Sequence, residues 1–80
     1  MKLASFVDEL ERAGDKHSKG YANVAKGLFV PPIKLGAKSV IPTYETDAII
    51  AARIAGKSDD EIRALVRQLV EARKQVATAA

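Results

Sequence analysis

Glycines and prolines divide this 80-residue chain into short segments. These helix-breaking residues are Gly14, Gly27, Pro31, Pro32, Gly36, Pro42 and Gly56. A glycine commonly ends a helix and a proline cannot continue one, so every element before residue 57 must be short. At this length a chain buries only about 60% of its unfolded surface, which predicts one domain with one small core.

Helical spacing predicts two helices before the first proline. The first runs to about Ala13 and has its apolar residues at i, i+3, i+4 and i+7, namely Leu3, Phe6, Val7 and Leu10. Ser18 is the expected N-cap of the second helix, which continues to Lys26 and ends at Gly27. Gly20 lies inside this helix at a cost of about 1 kcal/mol relative to alanine.

A hairpin is predicted after the prolines. The β-prone runs 33–35 and 39–41 flank Gly36. We expect one face of the hairpin to turn toward the core, with Ile33 and Leu35 on it. The outer face and the tip should then carry the two lysines, Lys34 and Lys38.

Two more helices are predicted after the hairpin. Thr43 is the expected N-cap of the third, which ends at Gly56 and carries three core candidates, Ile49, Ile50 and Ile54. Ser58 and Glu61 have the spacing of a capping box and open a fourth helix over residues 58–77. Its apolar residues are Ile62, Leu65, Val66, Leu69, Val70 and Val76.

This order of helix, helix, hairpin, helix, helix is typical of a winged helix-turn-helix domain, mainly α with a small β-hairpin wing. We expect it to span residues 1–80. The C-terminal helix either packs on the core or mediates self-association. Its apolar residues fit a heptad pattern for only about two heptads, which is short for a coiled coil.

Composition excludes several kinds of function. Without cysteine, and with His17 as the single histidine, the chain has no disulfide or thiolate zinc site. Asp15, His17 and Ser18 resemble a catalytic triad only superficially, because neighbours on a helix do not face each other. We therefore expect no enzyme activity, no cofactor, no metal and no small-molecule substrate.

No apolar stretch approaches the roughly 20 residues of a membrane span. Asp8 and Glu9 argue against an N-terminal signal peptide. These features predict a cytoplasmic protein, bacterial or viral in origin, with no membrane partner.

Positive charge is concentrated in the middle of the chain. Residues 12–38 carry six basic residues and one acid, a net charge of +5, whereas the whole chain carries +3. A local basic block favours binding to a polyanion such as nucleic acid. The alternative is an ordinary solvated basic surface.

The start of the second helix departs from the usual charge rule. Lys16, His17 and Lys19 surround its N-terminus, where the helix dipole disfavours cations. Free N–H groups and lysines at a helix start can bind phosphate, which we favour over a merely tolerated cluster. The positions that could reach a DNA groove are His17, Lys19, Ala22, Asn23 and Lys26.

Individual roles follow from side-chain chemistry. Asn23 can read adenine with two hydrogen bonds, or it is simply solvated. Lys19 and Lys26 contact phosphate more readily than guanine. Tyr21 is expected to pack at the core edge rather than stack on a base, and Lys34 and Lys38 to contact the DNA backbone or minor groove.

The middle of the chain also resembles the AlpA family of phage-type regulators. The matching residues are Gly14, Ser18, Tyr21, Val24, Gly27-Leu28-Phe29, Pro32-Ile33-Lys34-Leu35-Gly36 and Lys38, and the segment 51–62 is similar as well. The resemblance covers about residues 12–74. It departs from the family pattern at Asp15, Gly20, Ala22 and Ile41.

The resemblance implies a winged helix-turn-helix protein related to excisionases and MerR-type domains. Such proteins regulate prophage or mobile-element genes, or act as recombination directionality factors that help an integrase. It places Ser18, Lys19 and Asn23 in the recognition helix. The expected partners are double-stranded DNA at a promoter or attachment site, with integrase or a second copy as further candidates.

The predicted DNA-binding residues are thus Lys16, His17, Ser18, Lys19, Tyr21, Ala22, Asn23, Lys26, Lys34 and Lys38. The alternative function is a protein-interaction module that associates through its C-terminal helix and has only non-specific DNA affinity.

Overall fold

The computed structural model describes residues 1–79 and contains, within them, four helices and a three-stranded antiparallel sheet. The elements in chain order are β1 (Leu3–Ser5), α1 (Phe6–Arg12), α2 (His17–Ala25), β2 (Ile33–Leu35), β3 (Lys38–Pro42), α3 (Thr43–Ile54) and α4 (Asp59–Ala79). The sheet order is β1-β3-β2. The predicted mainly α class with a small hairpin is confirmed, and the N-terminal strand is an addition to it.

The predicted start of the first helix at Leu3 was wrong. Residues 3–5 form β1 and pair with β3, with Leu3 opposite Pro42 and Ser5 opposite Val40. Ser5 ends the strand and caps α1, because its Oγ accepts a hydrogen bond of 3.1 Å from the backbone N–H of Asp8. The strand is specified by its pairing with β3, which lies far along the chain. Of the four apolar residues that suggested this helix, Phe6 and Leu10 are buried, whereas Leu3 and Val7 are exposed.

The predicted core-facing side of the hairpin was also wrong. Ile33 pairs with Val40 and Leu35 with Lys38, so these four side chains share one face. Ile41, next to Val40, is fully buried in the core and therefore occupies the opposite face. Ile33 and Leu35 consequently lie on the outer face of the sheet. A two-residue turn, whose Gly36 has φ 63°, fixes this register.

Helix ends follow the glycines, whereas two predicted N-caps were wrong. Gly14, Gly27 and Gly56 all have positive φ and follow the ends of α1, α2 and α3, as predicted. However, α2 begins at His17, with Lys16 rather than Ser18 in the N-cap position. Similarly, α3 begins at Thr43 itself, with Pro42 before it as N-cap.

The predicted capping box of α4 is confirmed. The Ser58 N–H donates to Glu61 Oε1 at 3.0 Å, and the Glu61 N–H donates to Ser58 Oγ at 3.2 Å. These reciprocal bonds satisfy two backbone N–H groups at the helix start. The helix that follows continues to Ala79, two residues beyond the predicted end.

The core lies between the helices and the inner face of the sheet. Its buried apolar residues are Phe6, Leu10, Phe29, Val30, Ile41, Ile49, Ile62 and Val66. Leu65, Leu69 and Val70 pack against this core, so the first half of the α4 stripe is used within the chain. The predicted core residue Ile54, which ends α3, is instead 82% exposed. Val76, near the end of the α4 stripe, is also exposed.

Candidate nucleic-acid interface

The N-terminus of α2 is an uncapped, positively charged helix start. The N-cap residue, Lys16, makes no side-chain hydrogen bond to the helix, and the first turn contains no acid. Lys16, His17, Ser18 and Lys19 are all exposed. The positive end of the helix dipole is therefore surrounded by cations, an arrangement that favours an anion in solution.

Tyr21 joins this helix start to the core. Its ring lies 5.4 Å from the ring of Phe6 and 5.0 Å from that of His17, both in edge-to-face geometry. Phe6 is buried, whereas Tyr21 is 52% exposed. Tyr21 thus packs at the core edge with one side, as the sequence indicated, and holds the exposed His17 ring with the other.

A buried polar cluster fixes the turn between α1 and α2. Asp15 is 6% exposed and accepts hydrogen bonds from Arg53 at 3.2 and 3.1 Å and from Asn23 Nδ2 at 3.1 Å. Arg53 Nη1 also donates to the Ala13 carbonyl oxygen at 2.9 Å. Arg53 lies in the last turn of α3, so the cluster ties that helix to the turn and to α2.

This cluster changes how Asn23 is interpreted. Its amide nitrogen is bound to Asp15, and the residue is half-buried. The bond to Asp15 uses one of the two N–H donors of this nitrogen and orients the amide. The structure thus shows a positioning contact of Asn23 in the turn, and its contact with a base stays a prediction.

Sequence reasoning missed Arg53, although a signal was present. Asp15 is the only acid within residues 12–38. A buried carboxylate requires a paired cation, so an acid at that point predicts an arginine or lysine from another element. The position of Asp15 in the sequence did not indicate which arginine or lysine would pair with it.

Gly20 explains how closely α1 and α2 approach. A Cβ atom on this residue would lie 2.4 and 2.7 Å from the two Cδ atoms of Leu10. Leu10 is 1% exposed and is surrounded by the core. Glycine is therefore required here by close contact, despite its cost inside a helix.

Arg63 supports the other end of α2, and the sequence did not indicate this either. Its Nε donates to the Lys26 carbonyl oxygen at 2.8 Å, and its Nη1 forms an ion pair with Asp60 at 3.2 Å. A cation next to free carbonyl groups at a helix C-terminus is stabilising. The helix is thus held at its C-terminus by α4 and at its turn by α3.

Arg12 lies within the basic block of residues 12–38, but its charge is paired with acidic side chains. It donates two hydrogen bonds to Glu9, at 3.0 and 2.9 Å, and one to Asp47 at 2.7 Å. The hydrogen bond from Arg12 lowers the pKa of Glu9, and the two carboxylates together raise the pKa of Arg12. The charge of Arg12 is therefore neutralised by α1 and α3.

The five lysines of the block differ from Arg12. In the part of the chain that the structure describes, none of them forms an ion pair or a side-chain hydrogen bond, and all are exposed: Lys16, Lys19, Lys26, Lys34 and Lys38. The nearby arginines 12, 53 and 63 are instead all engaged in structural contacts. Within residues 12–38, the positive charge that is not used in ion pairs is therefore the lysine set.

The hairpin presents its two lysines on different faces. Lys34 lies opposite Ser39, whereas Lys38 lies opposite Leu35, and adjacent pairs alternate between faces. Lys38 also borders the two-residue turn at the tip. The two charges thus flank the strand pair rather than forming one flat surface.

Comparisons with family models, curated proteins and solved structures give no match for this chain. The resemblance to the AlpA family therefore stays a prediction. Among residues 1–79, no helix is long and apolar enough to cross a membrane. Over the same residues, no group of three or more acidic or histidine side chains could hold a metal ion.

Proposed function

We propose that this protein binds double-stranded DNA as a winged helix-turn-helix domain, with α2 as the recognition helix and the β2–β3 hairpin as the wing. The observation that carries the proposal is the set of five exposed lysines without ion pairs on α2, its flanks and the hairpin. Unpaired exposed charges of one sign favour a polyanionic ligand.

The dimensions of α2 suit a DNA groove. An α-helix with its side chains is about 10–12 Å across, and the major groove of B-DNA is about 12 Å wide. Lys16 and Lys19 at its N-terminus would bind phosphate together with the free N–H groups. Ala22 and Lys26 lie further along the helix and are exposed, so they could approach bases or the second strand.

Rigid support of α2 fits this role. The contact of Gly20 with Leu10, the Asp15–Arg53 pair and the bond from Arg63 fix the helix to three other elements. Base recognition requires such fixed geometry, because a misplaced helix cannot align donors with base edges.

In the cell, the resemblance suggests a prophage or mobile-element protein that is a transcriptional regulator, an excisionase, or both. The arrangement of bound sites separates these roles. Inverted half-sites about one helical turn apart would favour regulation by a two-fold dimer. Direct repeats beside an integrase gene would favour excision.

The first test is binding to duplex from the protein's own upstream region and any adjacent attachment site. Scrambled duplex of the same length is the comparison, over a series of salt concentrations. If all five lysines contact phosphates, the slope of log K against log salt should be about −4.5. Specific binding at least tenfold tighter than binding to the scrambled duplex supports the proposal.

Variants map the surface. Lys19→Ala should weaken binding and reduce the salt slope by about one. The control is Lys74→Ala, which removes the same charge from α4 outside the basic block. Equal binding to specific and scrambled duplex, or an equal loss in both variants, would refute sequence-specific recognition by α2.

A further inference from the structure

The side-chain amide of Asn23 has a fixed orientation. Its nitrogen donates to Asp15 Oδ2 at 3.1 Å. Asp15 is 6% exposed, and both of its carboxylate oxygens accept hydrogen bonds from Arg53, at 3.2 and 3.1 Å. A carboxylate accepts hydrogen bonds and donates none, so only the nitrogen of the amide can face it. The pair of Asp15 and Arg53 therefore decides which end of the Asn23 amide points into the protein.

The other end of this amide is free. Over residues 1–79, Asn23 Oδ1 accepts no hydrogen bond. Nor is it among the buried side-chain atoms of these residues that lack a partner, so the oxygen reaches the surface. One N–H of the amide nitrogen is also unused, because the bond to Asp15 takes only one of its two donors. Asn23 thus offers an acceptor and a donor to a ligand.

Asn23 shares an open cleft with an exposed lysine. Lys19 lies one turn before Asn23 on the same side of α2, and both residues line this cleft of about 270 Å³. The cleft also contains Asp59, at the start of α4. The amide is therefore next to one of the lysines that are proposed to contact phosphate.

We infer that Asp15 and Arg53 are positioning residues for base recognition, which direct the Asn23 amide to adenine. The inference rests on the proposed DNA binding by α2. In the major groove, adenine offers a donor, N6–H, and an acceptor, N7, which match the free oxygen and the unused N–H of the amide. Cytosine offers only a donor there, and guanine and thymine offer only acceptors, which oppose the amide oxygen. Adenine is therefore the expected base beside Asn23.

Removal of the Asp15 charge should release this orientation. Asp15→Asn keeps the shape of the side chain but can present an N–H to Asn23. The Asn23 amide is then free to turn its oxygen inward and its nitrogen outward. In that orientation it matches the acceptors of guanine and thymine as well. The variant should thus lose base preference at one position while its lysines still contact phosphate.

NMR of the free protein tests the orientation without DNA. Asn23 is the single asparagine of the chain, and its side-chain amide can be compared with those of Gln68 and Gln75, which are exposed on α4. One side-chain proton of Asn23 should exchange with water roughly tenfold more slowly than the glutamine amide protons. Equal exchange at all three amides would overturn the inference.

Selection of bound duplexes from a library with a random central segment tests the base preference. The wild type should favour adenine at one position by about 5- to 150-fold, the range for a good bidentate contact. Asn23→Ala and Asp15→Asn should each lose this preference and keep those at other positions. The matched control is Asp59→Asn, because Asp59 lines the same cleft but, within residues 1–79, makes no hydrogen bond to Asn23. This control should keep the preference.

A duplex with purine in place of that adenine tests the contact itself. Purine lacks the N6 amino group, so its loss should weaken wild-type binding by about three- to tenfold. The same replacement should have no effect on binding by Asn23→Ala. An equal loss in the wild type and in Asn23→Ala would contradict the contact between the amide oxygen and N6.

Circular dichroism establishes that each variant is folded before its binding is compared. A merely structural role for Asp15 would weaken binding to all duplexes by the same factor, and that result would overturn the inference but not the proposed DNA binding. So would an adenine preference that survives in Asn23→Ala. A wild type that selects no sequence would instead refute the proposed function, and the base recognition with it. Should Asp15→Asn fail to fold, amide exchange in the wild type and selection with Asn23→Ala decide the outcome.

Discussion

The ion pair between Glu45 and Arg73 gives a sharp prediction about stability. Glu45 is fully buried near the start of α3, and the Arg73 side chain, from the second half of α4, is only 18% exposed. The two groups share two hydrogen bonds, and Arg73 also binds the Pro31 carbonyl oxygen. Arg73→Met keeps much of the side-chain volume but leaves a buried carboxylate without a cation.

The expected loss is large for a chain of this size. Breaking a buried pair by removing one partner typically costs about 3–5 kcal/mol. Typical stabilities of about 0.05–0.15 kcal/mol per residue correspond to roughly 4–12 kcal/mol for a chain of 80 residues. Arg73→Met should therefore remove about a quarter or more of the unfolding free energy.

A double variant separates the cost of the isolated charge from the value of the pair. Glu45→Leu combined with Arg73→Met replaces both charges with apolar groups. It should recover most of the lost stability, because a buried pair is often no better than well-packed apolar residues. The double-mutant cycle should thus show a coupling energy of more than 2 kcal/mol between the two sites.

Urea unfolding followed by circular dichroism measures all of these variants. The transition midpoint should fall in Arg73→Met with the slope m unchanged. A loss below about 1 kcal/mol would place this pair among ordinary surface ion pairs and refute the reasoning from burial. A double variant less stable than Arg73→Met alone would refute the explanation that the loss comes from an isolated buried charge.

Three further predictions concern other parts of the molecule. Gly20→Ala gains about 1 kcal/mol of helix propensity but inserts a Cβ 2.4 Å from a Leu10 methyl carbon. Urea unfolding should therefore show a net loss of about 1 kcal/mol in the free energy of unfolding. A net gain would contradict the close contact. Ser58→Ala removes the α4 cap and should lower the free energy of unfolding by about 1 kcal/mol in the same assay. An unchanged stability would contradict a stabilising role for this cap. The hydrogen bond from Arg12 lowers the pKa of Glu9 below its ordinary 4.5, so the pair stabilises the fold above that pH and the contribution is lost as pH falls through the lowered value. In Arg12→Gln this acid dependence should weaken, and an unchanged pH profile of unfolding would contradict the assignment.

Features specified by local sequence were predicted well. The ends of α1, α2 and α3 fall at glycines whose positive φ is set by local sterics, and the α4 cap depends on residues three apart. The concentration of lysines in residues 12–38 was also identified correctly, because charge can be read directly from the sequence. Such features require no knowledge of distant residues.

Features that depend on distant partners were not predictable in the same way. The strand β1 is defined by pairing with β3, and the spacing of its residues also fits a helix. The direction in which Ile33 and Leu35 point depends on the pairing of β2 with β3, which places them on the face opposite the buried Ile41. Likewise, the role of Arg53 depends on Asp15, which lies 38 positions away.

The position of β1 has a consequence for how the chain folds and how it should be handled. The β2–β3 hairpin joins neighbouring segments, whereas β1 pairs with residues 40–42, which lie much further along the chain. Forming that pairing closes a long loop, which is slower than closing a hairpin. Until it forms, β3 has an open edge of the kind that promotes aggregation. Deleting residues 1–5 would leave that edge open permanently, so shortened variants should retain β1.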